Sequence, residues 1–341
     1  MSIFSKETRI EAFSRLGDFL LSEDANLQQL VHNAKFKNAW FTEAEVSKAL
    51  KANALMLNKT DLTHWLSNYQ LEGIQPKRVG LILAGNLPLV GFHDILAVLL
   101  SGHVALIKLS SQDDALIPFL LNKLIDFEGG FKNHIQFVQK LADFDAVIAT
   151  GSNNTSRYFE YYFSKVPHII RKNRNSIALL SGEESEGDLR QLGKDIFDFY
   201  GLGCRNVSKI LVPKGYDFTA FFEAIECYKD IINHHKYQNN YDYNKSIYLI
   251  NKNKHYDNGF LLVTESEQMT SPLSAVFYSE YATLQDAQDY IVKEQENIQV
   301  LVSKKQLHVP VAQVSFGESQ NPRLWDYADG VDTLAFLSSL S

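Results

Sequence analysis

The chain has 341 residues, of which 45% are hydrophobic and 21% charged, so it can bury a sizeable core in one large domain or two and is not intrinsically disordered. Its net charge of −7 and its dispersed lysines and arginines argue against nucleic-acid binding, and its two cysteines are too few for a disulfide framework or a zinc quartet. Because the first residues carry charge without an apolar signal core, and no apolar run approaches the length of a membrane span, we expect a cytoplasmic protein without a membrane span.

Residues 1–75 predict a helical segment. Apolar residues between Ile10 and Leu20 recur at helical spacing, which is typical of an amphipathic helix. Thr42 as N-cap, with Glu45 at the third helical position, predicts a capping box at a helix start. Asp61–Leu66 continues the helical pattern.

Strands and helices alternate over the next hundred residues. Continuous apolar runs that stop at glycine or lysine are typical of buried parallel strands. The predicted strands are 78–85, 103–108, 135–138 and 144–151, and the predicted helices are 89–101, 115–126 and 154–163. This order predicts right-handed βαβ units and an open parallel sheet.

The pattern continues with strands at 175–180 and 206–212 and with helices at 189–200 and 218–237. Cys227 falls inside the last helix among apolar residues, which predicts a core position. Residues 237–244 are polar and predict turns. Cys204 lies between a glycine-rich bend and a strand, so it is either a buried thiol or a nucleophile held at the bend.

Four short segments carry residue types suited to chemistry. They hold Asn86, Lys108, the run Thr150-Gly151-Ser152, and Cys204. The first three lie at the carboxyl ends of predicted strands, where open α/β sheets bind their ligands. Taken singly, each is also compatible with an ordinary role: a turn residue, a solvated lysine, a helix cap or a small buried side chain. The sequence has no GxGxxG motif and no metal-ligand motif.

The ordered set "AGNLPL", "IKLSS", "DAVIATGSNNTSRYF" and "GLGCRN" resembles the aldehyde dehydrogenase superfamily. Within it, the chain is most similar to the acyl-CoA reductases that supply long-chain aldehyde to bacterial luciferase, and the stretch Val314–Leu337 resembles the end of that group. The resemblance implies an aldehyde-dehydrogenase-like α/β fold. It implies a parallel-sheet NAD(P)-binding domain over 76–175, an α/β catalytic domain over 176–313, and a segment 314–341 that returns to the cofactor domain.

The resemblance also implies roles for the matching residues. Cys204 would be the nucleophile, and the Asn86 amide with the Cys204 backbone N–H would form an oxyanion hole. Lys108 would reach the adenosine ribose or its 2′-phosphate, and Thr150, Gly151 and Ser152 would lie beside the cofactor. The implied function is reduction of an acyl-CoA, expected to be fatty, to its aldehyde by NADPH or NADH through a cysteine thioacyl intermediate. A homo-oligomer is compatible with this.

The chain departs from the superfamily pattern at two places. Aldehyde-oxidising members carry a glutamate base upstream of the cysteine, whereas the corresponding segment here, 168–174, has no carboxylate. Hydrolysis of a thioester needs a base that activates water, but reduction does not, so this departure favours a reductase. Met269–Phe277 stands where a second glutamate motif is expected, which leaves the contacts to the nicotinamide ribose unassigned.

Charged residues in this region have simpler interpretations as well. Glu183 and Glu184 lie in a polar turn and are expected to be solvated. Arg171, Lys172 and Arg174 form either a solvated face or a site for coenzyme A phosphates or the NADP 2′-phosphate.

Two other functions remain open from the residues. One is an acyl-phosphate reductase, of the glutamyl-phosphate type, on the same fold. The other is a non-catalytic subunit that binds an acyl group or a partner.

Overall fold

The computed structural model describes residues 4–71, 73–151 and 153–340. The chain divides into two compact units. Unit 1 consists of Met1–Asn173 together with Arg323–Ser341, and unit 2 consists of Arg174–Pro322. Each unit contains one β-sheet with helices, so the predicted α/β class is confirmed.

Unit 1 begins with four helices, as predicted for residues 1–75. They are α1 (Lys6–Leu20), α2 (Ala25–Lys37), α3 (Glu43–Met56) and α4 (Lys59–Ser67). The predicted cap at Thr42 is confirmed, because its hydroxyl accepts a hydrogen bond from the Glu45 backbone N–H at 3.4 Å. The Glu45 carboxylate contacts the Lys48 ammonium at 2.9 Å.

The sheet of unit 1 has five parallel strands in the order β3-β2-β1-β4-β5. Four of the strands and all three helices were predicted from the sequence. The strands are β1 (Arg78–Ile82), β2 (Val104–Lys108), β3 (Ile135–Phe137), β4 (Ala146–Thr150) and β5 (His168–Arg171), and the helices are α5 (Phe92–Ser101), α6 (Leu116–Phe127) and α7 (Asn153–Phe163). From β1 the chain first adds β2 and β3 on one side and then β4 and β5 on the other. Open α/β sheets bind ligands at the carboxyl ends of the strands where the order switches sides in this way.

Unit 2 is built on a sheet of seven strands in the order β12-β11-β6-β7-β10-β9-β8, parallel except for the antiparallel pair β8–β9. The strands are β6 (Asn175–Leu179), β7 (Val207–Pro213), β8 (Tyr256–Asp257), β9 (Leu262–Glu265), β10 (Ala275–Tyr281), β11 (Ile298–Val302) and β12 (Gln313–Val314). The helices are α8 (Glu186–Phe197), α9 (Thr219–Ile225), α10 (His235–Ile250) and α11 (Leu284–Lys293).

Both faces of this sheet are covered, which is why its central strands read as unbroken apolar runs. Along β6, Ile177 and Leu179 join a cluster with α11, while the intervening Ala178 joins a cluster with α8 and α9.

Helix α10 corrects one prediction. Residues 237–244 were expected to form turns, but they lie inside this helix. Its buried face carries Tyr237, Tyr241, Asn244 and Tyr248 rather than aliphatic residues, so an apolar count does not detect it.

The last residues of unit 1 follow unit 2 in the chain and include α12 (Thr333–Ser338). Two histidines bind backbone carbonyls of this last segment. His93 Nε2 lies 2.9 Å from the Leu324 carbonyl, and His103 Nε2 lies 3.0 Å from the Leu337 carbonyl. His103 Nδ1 accepts the Lys77 N–H at 3.1 Å, so its Nε2 is the nitrogen that carries hydrogen and donates. In the described part of the chain, no helix is both long and apolar enough to cross a bilayer.

Candidate functional site

Cys204 is exposed and lies in a tight turn at the start of β7. Helix α8 gives way to a 3-10 turn over Asp198–Gly201, in which Phe199, Tyr200 and Gly201 have φ values of 53°, 58° and 79°. Left-handed backbone at two non-glycine residues costs free energy and persists only where its surroundings impose it. The bend predicted around Cys204 is therefore present, and the alternative of a buried thiol is wrong.

The turn that carries Cys204 is anchored by buried Asn206. Its side-chain amide donates to the carbonyls of Asp195 at 3.0 Å and Asp198 at 2.8 Å, and its amide oxygen accepts the Gly203 N–H at 2.8 Å. Ser176 on β6 donates its hydroxyl to the Cys204 carbonyl at 3.0 Å. The backbone on both sides of the thiol is thus fixed by side chains of unit 2.

Cys227 is also exposed, so its predicted core position is wrong. The predicted helix changes from α to 3-10 geometry, and Cys227 lies in the 3-10 stretch Glu226–Asn233. Ile225 is buried, and Cys227 two positions later faces the opposite side of a helix at either three or 3.6 residues per turn, so it lies off the apolar stripe. Its thiol contacts the Ala224 carbonyl at 3.7 Å.

Unit 1 brings Asn86, Lys108, Thr150 and Gly151 to one edge of its sheet. Lys108 ends β2, Thr150 ends β4, and the loop that carries Asn86 follows β1 between them, because Ile82 at the end of β1 is paired with both neighbouring strands. Asn86 is exposed, and Lys108 and Thr150 are half-buried. Ser152 lies outside the described residues, and Cys204 belongs to unit 2.

The Asn86 loop is held by residues that the sequence analysis did not single out. Leu89 has a left-handed backbone with φ of 59°, and its N–H donates to buried Asp113 at 3.0 Å. Gly85 packs so closely that a Cβ there would lie 2.4 Å from the Ser110 hydroxyl oxygen, which only glycine permits. Burial raises the pKa of Asp113 to about 6. Its position in the run "SSQDD" gives no sign of burial.

Asp195 is a second functional candidate that was missed. It is fully buried on α8, and its carboxylate accepts the backbone N–H groups of Gly317 at 2.6 Å and Ser319 at 3.0 Å. Burial raises its pKa to about 6. The sequence does carry a signal, because Asp195 falls at helical spacing among the buried positions Leu189, Leu192 and Ile196.

The basic cluster at 171–174 is not a single surface. Arg171 is buried and bonds the Asp94 carboxylate at 2.6 Å, so a solvated role for it is wrong and its guanidinium is already committed. Lys172 pairs with Glu160 at 2.8 Å. Arg174 belongs to unit 2. Consecutive residues of an extended segment point to opposite sides, which separates charges that look clustered in sequence.

The two glutamates of the polar turn differ from each other. Glu183 is exposed, as predicted. Glu184 is half-buried and closes the turn, because its carboxylate accepts the N–H groups of Ser181 at 2.7 Å and Gly182 at 3.0 Å. Within the described ranges, no three His, Cys, Asp or Glu side chains are grouped as metal ligands.

Comparison with solved structures defines the class of fold. The chain is similar to aldehyde dehydrogenase 21 from Physcomitrella patens in complex with succinate, with a TM-score of 0.71 and 13% identity over 98% of this chain and 84% of that one. It is also similar to a Mycobacterium tuberculosis aldehyde dehydrogenase complexed with NAD+, with a TM-score of 0.64 and 13% identity over 91% and 77% of the two chains. The fold is that of the aldehyde dehydrogenases.

A family model narrows this class. The acyl-CoA reductase (LuxC) model matches residues 11–223, which is more than half of the chain, and the chain therefore belongs to that family. A search of curated protein sequences found no significant match. As predicted from the motifs, the protein is an oxidoreductase that acts on acyl or aldehyde groups.

Proposed function

We propose that the protein reduces a fatty acyl-CoA to the aldehyde through a thioacyl intermediate on Cys204. The observation that carries the proposal is the exposed thiol in a turn whose backbone is fixed by Asn206 and Ser176. A purely structural cysteine has no need for an exposed thiol on a braced and locally strained bend. Membership of an acyl-CoA reductase family supports the substrate class.

The chemistry follows from a thiolate at this position. The Cys204 sulfur attacks the thioester carbonyl, a carbon–sulfur bond forms, and the bond to coenzyme A breaks as its thiolate leaves. The Asn86 amide and the Cys204 N–H are the proposed donors to the oxyanion, and such a donor contributes roughly 3–4 kcal/mol to the transition state. Hydride from a bound reduced nicotinamide would add to the carbonyl carbon of the Cys204 thioester and give a thiohemiacetal. Its collapse breaks the carbon–sulfur bond, returns the thiolate to Cys204 and releases the aldehyde.

The edge of the unit 1 sheet fits a nicotinamide cofactor. A lysine and a threonine hydroxyl stand at the ends of the strands that flank β1, where strand order reverses. Lys108 would bind the adenosine ribose or its 2′-phosphate, Gly151 and Ser152 would lie beside the cofactor, and Thr150 would lie beneath the nicotinamide ring. When bound, the cofactor supplies the hydride that reduces the thioester. The similar Mycobacterium tuberculosis structure contains NAD+.

The segment that lacks a base supports reduction over oxidation. Residues 168–174 contain no carboxylate, so nothing there would activate water against the thioester. We therefore expect the acylated enzyme to persist until a reduced cofactor arrives.

Labelling with radioactive acyl-CoA in the absence of cofactor tests the proposal. The wild-type protein should retain label, and so should Cys227→Ala, which removes the other exposed thiol, whereas Cys204→Ala should not. NADH or NADPH should then discharge the label as aldehyde. Absence of labelling would leave an acyl-phosphate reductase or a non-catalytic subunit, and release of free fatty acid without cofactor would indicate a thioesterase or dehydrogenase.

A further inference from the structure

The carboxylate of Asp195 fastens a distant backbone segment of unit 2 to the end of α8. Its two oxygens accept the N–H groups of Gly317 and Ser319, and Lys194 donates to the Gly317 carbonyl at 3.0 Å. A fully buried carboxylate carries a desolvation cost, which two backbone hydrogen bonds only partly offset. The arrangement gives residues 317–319 one fixed position on the helix.

That segment in turn contacts the turn of the nucleophile. The Ser319 carbonyl accepts a short hydrogen bond from Nε of Arg205, the residue that follows Cys204. The main-chain carbonyl of Asp195 itself accepts the Asn206 side chain at 3.0 Å. Asn206 is therefore connected to the backbone of Asp195 directly, and Arg205 is connected to the Asp195 carboxylate through Ser319.

We propose that Asp195 is a positioning residue for Cys204: it fixes the Ser319 carbonyl, which holds the side chain of Arg205, the residue that follows the nucleophile in the chain. This inference rests on the proposed function, in which Cys204 reacts as a thiolate. Positive charge near a thiol favours its thiolate, and a guanidinium held through Nε keeps its planar orientation. Asp195 touches neither substrate nor cofactor in this role.

Asp195→Asn tests the inference with little change in side-chain volume. The amide turns one acceptor into a donor that faces a backbone N–H, so the 317–319 segment loses its fixed position. Iodoacetamide should then modify Cys204 about tenfold more slowly at pH 7, the scale set by loss of one charge-assisted hydrogen bond. Peptide mass spectrometry reads Cys204 and Cys227 in the same sample, and the rate at Cys227 should not change.

Asp188→Asn is the matched control on the same helix. Asp188 caps the start of α8 by accepting the Ser185 N–H at 3.0 Å and pairs with Lys304 at 2.8 Å. Its loss weakens α8 without touching residues 317–319, so the rate at Cys204 should stay at the wild-type value. Equal slowing in both variants would show that helix stability alone sets the rate, and would overturn the inference.

Arg205→Gln provides a second measurement that does not depend on whether Asp195→Asn folds. Arg205→Gln should slow alkylation of Cys204. The Asp195→Asn/Arg205→Gln double variant should react no more slowly than Arg205→Gln alone, because Asp195 acts only through Arg205. A wild-type rate in Arg205→Gln overturns the inference. Wild-type protein that fails to become acylated, together with slow alkylation in Asp195→Asn, supports the positioning role and rejects the reductase.

Discussion

Arg171 is the residue whose removal should damage unit 1 most. Its guanidinium bonds Asp94 at 2.6 and 3.3 Å, the Ala328 carbonyl at 2.7 Å and the Thr333 hydroxyl at 2.9 Å. It thus joins β5, α5 and the last segment of the chain. Arg171→Met keeps much of the side-chain volume and removes all four contacts.

The expected loss is set mainly by the carboxylate left behind. Asp94 is only 7% exposed, so the variant leaves a buried charge without its cation. Breaking a buried pair in this way costs about 3–5 kcal/mol, a large fraction of the roughly 5–15 kcal/mol that stabilises a typical domain. Adding Asp94→Leu removes the stranded charge and should restore most of the loss.

Urea unfolding followed by tryptophan fluorescence measures this free energy for unit 1, since Trp40, Trp65 and Trp325 all belong to it. Lys172→Met is the matched control, because it removes the adjacent cation from a pair with Glu160 in which both side chains are about half exposed. We expect the control to unfold at the wild-type urea concentration. A wild-type urea midpoint for Arg171→Met would show that the buried Arg171–Asp94 pair does not stabilise unit 1.

Two further predictions concern the loops around the proposed cofactor site of unit 1. Burial raises the pKa of Asp113 from 3.8 to about 6, so the folded protein keeps a proton that the unfolded chain has lost, and the unfolding free energy of unit 1 should fall as pH rises through that interval. Asp113→Asn, which can still accept the Leu89 N–H, should flatten this step in tryptophan-detected unfolding while Asp114→Asn keeps it, and a step of unchanged size in Asp113→Asn would contradict the assignment. Lys108→Ala should raise the KM for the nicotinamide cofactor far more than the KM for acyl-CoA, with exposed Lys132→Ala as the control; an unchanged cofactor KM would remove Lys108 from the site.

The sequence was informative wherever one physical signal dominated. Apolar runs that end in glycine or lysine identified β1, β2 and β4, because strands buried on both faces tolerate few polar residues. The same signal located Asn86, Lys108 and Thr150 at the carboxyl ends of strands that prove to be neighbours in the sheet. Neighbouring strands could be inferred only as far as the βαβ rule allows, and β5 was too short and too charged at its ends to be noticed.

The errors arose where a side chain does what its type rarely does. The tyrosine stripe of α10 forms a buried face without aliphatic residues, and Arg171 is buried by a partner 77 positions away. Asp113 and Asp195 are carboxylates whose partners are backbone N–H groups. No sequence pattern identifies these partners, although the helical spacing of Asp195 does indicate that it is buried. Cys227 was placed in the core because of its apolar neighbours, but it lies two positions after buried Ile225 and therefore on the opposite side of the helix.

The return of residues 323–341 to unit 1 has a consequence for synthesis on the ribosome. Unit 2 is contiguous in the chain and can complete its fold as soon as it has emerged, whereas unit 1, although made first, must wait for its last segment. Until then His93, His103 and Arg171 lack the carbonyls of Leu324, Leu337 and Ala328 that they bind in the finished protein. The amino-terminal part of this chain is therefore the last to become native, and a nascent chain stalled before residue 323 would present an unfinished core to chaperones and proteases.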